Sequence, residues 1–241
     1  MSSKTNIGVI GVGHLGSLHA KMLAEISSAN FVGVFDVDEN KRNEIATKYD
    51  IRAFASLNEL LANVNAVTIA ANTRFHFEIA KQALEKGIHC FIEKPITTTP
   101  NEAEELIALA KKHNCKIQVG HIERFNPAIL AIEQYNVKPM FIEAHRLAQF
   151  TARGTDVAVV LDLMIHDIDI ILSLVQSKVA QIDANGVAVV SDSVDIANAR
   201  IKFENGCVAN VTASRISQQK MRKMRMFQSD AYISVNFSEG S

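Results

Sequence analysis

The chain has no excess of charge of either sign: 25 Lys and Arg stand against 26 Asp and Glu in 241 residues, a formal net charge of −1. With no basic stripe and no polybasic cluster, that balance argues against a nucleic-acid partner and against an anionic membrane surface. The densest basic stretch, Lys220 to Arg225, interleaves its four cations with methionines and reads as a strand with one charged face. Cysteines are few. Cys90, Cys115 and Cys207 lie far apart and form no C-x-x-C pair, which fits free thiols in a reducing cytosol and no zinc site. No apolar run is clean enough for a membrane span, because the most apolar helix, near Val157 to Val175, carries Asp162, His166, Asp167 and Asp169. The first strand starts within a few residues of Met1, so no signal peptide is expected and the chain is expected to be cytoplasmic. Internal repeats and low-complexity stretches are also missing. What remains is a chain with 48% apolar residues, enough for one large or two small domains.

The most informative feature is the run Ile7-Gly8-Val9-Ile10-Gly11-Val12-Gly13-His14-Leu15-Gly16. It reads as a strand that stops in a glycine-rich turn and opens into a helix. Gly11, Gly13 and Gly16 make G-x-G-x-x-G, and Asp36 closes a second apolar run, Phe31–Phe35, 20 residues past Gly16. A strand before, a helix after and an acid at that distance make the dinucleotide-binding fingerprint in full context. Gly11 allows the tight turn, Gly13 lets the backbone approach a pyrophosphate, and Gly16 lets the helix pack closely. The helix N-terminus offers free N–H groups and partial positive charge to the phosphates. A carboxylate at Asp36 accepts hydrogen bonds from a ribose diol and repels a 2′-phosphate, and Asp38 adds charge of the same sign. Lys41 and Arg42 soften that repulsion, but the balance favours NAD over NADP as cofactor.

Up to about Gly120, strand and helix alternate. Strands are predicted at Asn6–Ile10, Phe31–Phe35, Ala66–Ala70, Ile88–Ile92 and Lys116–Val119. Helices are predicted at His14–Ile26, Glu39–Lys48, Phe75–Lys86 and Asn101–Lys112, with a short one near Leu57–Ala62. Ser56 with Glu59, and Thr99 before Pro100, read as helix starts, and Gly87 as a stop. Alternating units with apolar strands imply a parallel sheet covered on both faces. After Gly120 the pattern changes. A short helix near Pro127–Gln134 leads to a strand at Met140–Leu147, the loop Gln149–Thr155 and the long apolar helix. Strands then follow at Val179–Val189, Asp195–Phe203, Cys207–Ser214, Lys223–Phe227 and Tyr232–Phe237, with Asn205-Gly206 as a hairpin turn. The fold class is therefore α/β: a Rossmann domain over 1–120, then an α+β domain with a mainly antiparallel sheet over 121–241. The first is expected to bind NAD, the second to serve substrate binding and oligomerisation.

Two polar clusters lie outside the fingerprint. The first is Phe91-Ile92-Glu93-Lys94-Pro95, at the carboxyl end of a predicted parallel strand, where open α/β sheets bind ligands. Pro95 holds its predecessor away from helical angles. A lysine in a partly dry cleft can hydrogen-bond a substrate hydroxyl and lower the cost of its deprotonation; a solvated lysine at a strand end is the alternative. The second cluster is on the helix Val157–Ile171. In a regular helix Asp162, His166 and Asp169 fall at i, i+4 and i+7 on one face of an element apolar enough to be buried. An imidazole beside a carboxylate is a tuned general base, and equally a satisfied buried pair that fixes the helix. No further Cys, His or Glu cluster completes a metal shell around Asp162 and His166.

Together these pieces resemble the glucose–fructose oxidoreductase / inositol dehydrogenase (Gfo/Idh/MocA) family over essentially the whole chain. The resemblance rests on Gly11–Gly16 with Asp36, on Ala70-Ala71-Asn72-Thr73-Arg74-Phe75-His76, on Glu93-Lys94-Pro95, on Gly120-His121-Ile122-Glu123-Arg124-Phe125-Asn126-Pro127 and on Asp162-x-x-x-His166. Ala71 stands where the family pattern has proline. The resemblance implies NAD(P)-linked oxidation or reduction of a sugar, sugar-nucleotide or cyclitol carbon. It assigns Lys94, Asp162 and His166 to catalysis. Cofactor binding falls to Gly11, Gly13, His14, Leu15, Gly16, Asp36, Ala71, Asn72, Thr73, His76, Glu93 and Lys94, and substrate binding to Lys94, His121, Arg124, Asn126, Asp162 and His166. The wording around Arg124 and Asp162 is most similar to the branch that oxidises the 3-hydroxyl of UDP-N-acetylglucosamine. Members carry further strands after the last one here, so the second domain is expected to be shortened at its C-terminus. They commonly pair through its sheet, so a homodimer or larger is expected, with an open sheet face of methionines and β-branched residues at the interface. A non-catalytic sensor of NAD or sugar, and an imine or bilin reductase, are the competing functions; retention of the acid–base residues favours the dehydrogenase.

Overall fold

The computed structural model describes residues 4–151 and 157–241, and the chain divides into two units, Met1–Gly120 and His121–Ser241. The first unit runs β1 (Thr5–Ile10), α1 (His14–Glu25), β2 (Ala29–Phe35), α2 (Glu39–Tyr49), β3 (Arg52–Ala53), α3 (Leu57–Leu61), β4 (Ala66–Ile69), α4 (His76–Glu85), β5 (His89–Ile92), α5 (Pro100–Lys112) and β6 (Ile117–Val119). All its strand pairs are parallel, in the order β3-β2-β1-β4-β5-β6. The order reverses between β1 and β4, the place where open α/β sheets take ligands. Val9 and Val34 face one apolar cluster and Ile10, Ile69 and Ile92 another, so both faces of the sheet are covered. The predicted helix ends are built from local bonds. Ser56 Oγ accepts from Glu59 N, and Thr99 and Glu102 cap α5 reciprocally. The two-residue β3 is an addition to the expected strands; a strand that short has no periodicity to read.

The second unit holds α6 (Pro127–Ile132), β7 (Phe141–Leu147), a π-helical turn at Val160–Met164, α7 (Ile165–Val175), then β8 (Val179–Val187), β9 (Ile196–Phe203), β10 (Val208–Ser214), β11 (Met221–Phe227) and β12 (Tyr232–Asn236). Its sheet runs β12-β11-β7-β10-β9-β8, antiparallel except for the parallel pair β7–β10. Gly206, at φ 88°, turns the β9–β10 hairpin as Asn205-Gly206 predicted. Among the described residues no helix is long and apolar enough to cross a membrane.

Three expectations need correction. The long helix is not one regular α-helix: Asp162 sits in the π-turn and His166 in the first turn of α7, so their spacing crosses a change of helical period. Nor is it buried all round. Met164, Asp167, Ile170, Ile171 and Val175 form its buried stripe, while Leu161 and Leu172 are exposed. The open sheet face is not rich in methionine. Met224 and Met226 are buried, with Ile142, Ala144, Val211 and Ala213, because their parity along the strands points them at the core. The opposite face carries Glu143 ion-paired to Arg225, and Asn210 accepting from Arg200. Of the predicted loop Gln149–Thr155, residues 152–155 lie outside the described residues.

Candidate active site

The glycine turn is dictated by sterics. Gly11 has φ +84°, and a Cβ on it would lie 2.7 Å from Ala71 N. A Cβ on Gly16 would lie 1.8 Å from Gly11 O, so Gly16 is required by the turn itself as well as by helix packing. A Cβ on Gly13 would meet nothing within 4 Å: this glycine faces open space. Gly13 is also the N-cap of α1, with no side-chain cap and no acidic residue in the first turn. His14 and Leu15, exposed, begin the helix there. An uncapped helix start beside open space is a ready site for an anion.

Asp36 closes the turn from β2. Its Oδ2 accepts from Val12 N at 2.7 Å and its Oδ1 from Asp38 N at 2.9 Å. A carboxylate has about four acceptor positions, so capacity remains for a diol. Asp38 spends its side chain capping α2, through Asn40 N and Lys41 N. Arg42 Nη1 donates to the Asp36 carbonyl at 3.2 Å. The residues of both signs singled out in the sequence therefore do gather at the end of β2.

The carboxyl ends of β4 and β5 are tied together by a histidine. His76, 1% exposed, places its ring nitrogens 2.9 Å from Pro95 O and 2.9 Å from Ala71 O. Both ring nitrogens face backbone carbonyls, so His76 holds the two loops in place. Asn72 and Thr73 begin the 3₁₀ turn between them, and Asn72 is exposed. Lys94 is half-buried in the other loop, joined to Pro95 by a cis peptide. Beside it Glu93 is held from α1: His19 Nε2 lies 2.9 Å from Glu93 Oε1, and His19 Nδ1 2.8 Å from Thr68 Oγ1. A Cβ on Gly120 would come within 2.9 Å of Glu93 Oε2, so β6 ends in a glycine where that carboxylate passes. The sequence reasoning missed His19. Its signal was a polar residue three positions after Gly16, on the side of α1 that must face the sheet.

In the second unit the segment after His121 meets α7. Arg124 binds Asp169 through two bonds, Nε to Oδ2 at 2.6 Å and Nη2 to Oδ1 at 2.5 Å, and His121 Nδ1 lies 3.8 Å from the same carboxylate. Asn126 caps α6 and donates to Phe237 O at 3.0 Å. Asp167, the neighbour of His166, is buried against Arg146 of β7 in a fork with both bonds at 2.9 Å. Arg146 Nη1 also donates to Glu123 Oε1 at 2.9 Å. Burial pushes the Asp167 carboxyl above the usual range, against the pull of Arg146. This network was also missed, although Arg146 shares the parity of buried Ile142 and Ala144, and a core-facing arginine demands an anion. The cysteines are poor nucleophiles: burial pushes the Cys90 thiol up to about 12 and raises Cys115 and Cys207 too.

A family model described as an oxidoreductase family with an NAD-binding Rossmann fold, Gfo/Idh/MocA, matches residues 5–121, and the model of the Gfo/Idh/MocA C-terminal domain matches 133–241. The chain belongs to the Gfo/Idh/MocA oxidoreductase family. It is 44% identical over 231 residues to a UDP-N-acetylglucosamine 3-dehydrogenase of Acidithiobacillus ferrooxidans, covering 95% of this chain and 73% of that protein. A solved structure of that enzyme superposes with a TM-score of 0.94 at 42% identity, covering 99% of this chain and 79% of the other. A myo-inositol 2-dehydrogenase of Thermotoga maritima is 26% identical, over 87% of this chain and 68% of that protein. The fold is shared with a scyllo-inositol dehydrogenase of Lactobacillus casei solved with NAD(H) and scyllo-inositol, at a TM-score of 0.85 and 21% identity, covering 97% of this chain and 76% of the other. The chain is thus an enzyme of the NAD-binding oxidoreductase type.

Proposed function

We propose that the chain oxidises a secondary hydroxyl of a nucleotide sugar, the 3-hydroxyl of UDP-N-acetylglucosamine, with NAD as acceptor. The observation that carries the substrate is the 44% identity to the A. ferrooxidans enzyme across 95% of this chain. The open space at Gly13 over the uncapped start of α1, with acceptor capacity left on Asp36, fits a dinucleotide. Bound there, the nicotinamide supplies the hydride acceptor. His166, assisted by Asp162, takes the hydroxyl proton at its ring nitrogen, and Lys94 stabilises the oxygen as negative charge develops. Glu93, fixed by His19, and Asn72 border the nicotinamide half, while His121, Arg124 and Asn126 border the substrate. NADH formation measured against a panel of nucleotide sugars and cyclitols tests the reading. Turnover of cyclitols alone overturns the nucleotide-sugar assignment, and cofactor binding without any turnover makes the protein a sensor.

NAD is the preferred cofactor in this reading, because Asp36 repels a 2′-phosphate. Asp36→Ala should narrow the gap between NAD and NADP, but it also removes the acceptor for Val12 N. Asp36→Asn can keep that bond while losing the charge, and should shift the ratio of dissociation constants toward NADP by roughly tenfold, the scale of one screened charge pair. Wild-type protein that binds NADP at least as tightly as NAD would refute the role given to Asp36.

The second unit also mediates self-association. Every residue of the edge strand β8 is exposed, including Ile182 and Val187. The aromatic group Phe141, Phe227 and Tyr232 is partly exposed toward the other edge. An unprotected edge and apolar patches of this kind favour pairing. Sedimentation equilibrium at micromolar concentration should give the mass of a dimer or larger; a monomer mass rejects the proposal.

A further inference from the structure

A cavity of about 400 Å³ lies wholly within the second unit, where β7 ends, β11 begins and the π-turn passes. That volume is in the usual range for small-ligand sites. Asp162 forms part of its wall, together with Arg215, Lys220 and Arg222. The three cations are not equivalent. Arg215 is 6% exposed, donates to the carbonyls of Val157 and Val194, and lies 3.7 Å from Asp195, so its charge is consumed by the fold. Lys220 is exposed.

Arg222 is placed in an unusual way for a structural residue. It shares the parity of Met224 and Met226, whose side chains are buried, yet its own side chain is 53% exposed. The strand register sets it directly opposite Arg146, and like charges facing each other across a strand pair are destabilising. Arg146 takes both oxygens of Asp167 and the nearer contact to Glu123 at 2.9 Å; Arg222 is left 3.8 Å from Glu123. The anions of the protein therefore serve Arg146 first. Among the described residues, two exposed cations share this cavity with one carboxylate of its wall, Asp162.

The geometry points to this cavity as the seat of the substrate's diphosphate, with Lys220 and Arg222 as its ligands. The inference rests on the nucleotide-sugar reading above and deepens it. A cyclitol or free sugar carries no charge for two cations to meet, whereas a nucleoside diphosphate brings about two negative charges and oxygens that suit a guanidinium fork. Lys220 and Arg222 then determine specificity, by making the nucleotide a handle that brings the sugar to the cavity containing Asp162. The arrangement also turns the mutual repulsion of Arg146 and Arg222 into affinity, because the ligand supplies Arg222 with an anion beyond the distant share of Glu123.

The test is titration of UDP into the full chain loaded with NADH. Wild type should bind UDP, with an affinity that weakens as salt is raised. Lys220→Gln/Arg222→Gln should weaken UDP binding at least tenfold while NADH affinity stays unchanged. Lys220→Glu, at an exposed position the fold does not depend on, should weaken it by itself, and Arg222→Lys should retain more affinity than Arg222→Gln. Equal UDP affinity in wild type and in these variants overturns the assignment of the cavity but leaves the nucleotide-sugar reading standing. Failure of wild type to bind UDP, with turnover of an uncharged sugar or cyclitol, overturns both.

Discussion

Replacing Lys94 by Met, or His166 by Ala, should each lower kcat about a hundredfold or more, the usual scale for losing acid–base help, while NAD titration gives an unchanged affinity. The separation is expected because, in the proposed site, the glycine turn and Asp36 hold the pyrophosphate and ribose, whereas Lys94, although the resemblance also sets it beside the cofactor, and His166 act on the substrate hydroxyl. Gly11 and Gly16 shape the turn, Gly13 leaves it open, and Asp36 fastens Val12 N from the end of β2. Lys94 lies on a loop held from behind by His76 through Pro95 O, so its side chain can be changed without disturbing that clasp. His166 is half-buried on α7, one residue from Asp167, whose bonds to Arg146 hold the helix whether or not the imidazole is present. Near-normal kcat in His166→Ala would make this histidine a packing residue and remove it from the mechanism.

Arg146→Met should destabilise the protein by about 3–5 kcal/mol, the cost of stranding a buried charge. For a chain of this size that is a loss of roughly 10 °C in melting temperature. Asp167 is 1% exposed, and Arg146 gives it both of its side-chain bonds. Glu123, with 11% of its side chain exposed, loses its nearer cation at the same time. Arg146→Lys should recover only part of the loss, since an ammonium cannot fork onto one carboxylate while donating to another. Arg146→Met combined with Asp167→Leu should be less destabilised than Arg146→Met alone, because no buried carboxylate is then left opposite a methionine. Thermal unfolding of the three variants checks the ranking. If the single and double variants melt together, the ion pair is not what holds α7 to β7.

What the sequence makes legible is what atoms close in the chain decide. The glycine turn, the caps at Ser56 and Thr99 and the stop at Gly87 were readable because each is decided by atoms within a few residues. Gly11 needs a positive φ, and Thr99 and Glu102 need only each other. The alternation of strands and helices up to Gly120 was readable for the same reason. The helix around Asp162 was misread because the departure from α-helical period at Val160–Met164 has no local marker such as proline or glycine. The open face of the second sheet was misread because alternation says which residues share a face and not which face meets α6 and α7. That assigned Met224 and Met226 to the wrong side.

Residue types and spacing by themselves thus determined a dinucleotide turn, a parallel α/β first half, a sheet-rich second half and the family to which the chain belongs. The tertiary structure alone decided which charges are spent and which are left over. Asp167 and Glu123 are committed to Arg146, Asp169 to Arg124, Glu93 to His19 and Asp195 to its own loop, while Arg222 is left with the more distant share of one carboxylate. These partners are between 21 and 99 positions apart, Asp195 excepted. Pairing over such distances follows from strand register and helix packing across the whole unit, which no local window of sequence contains.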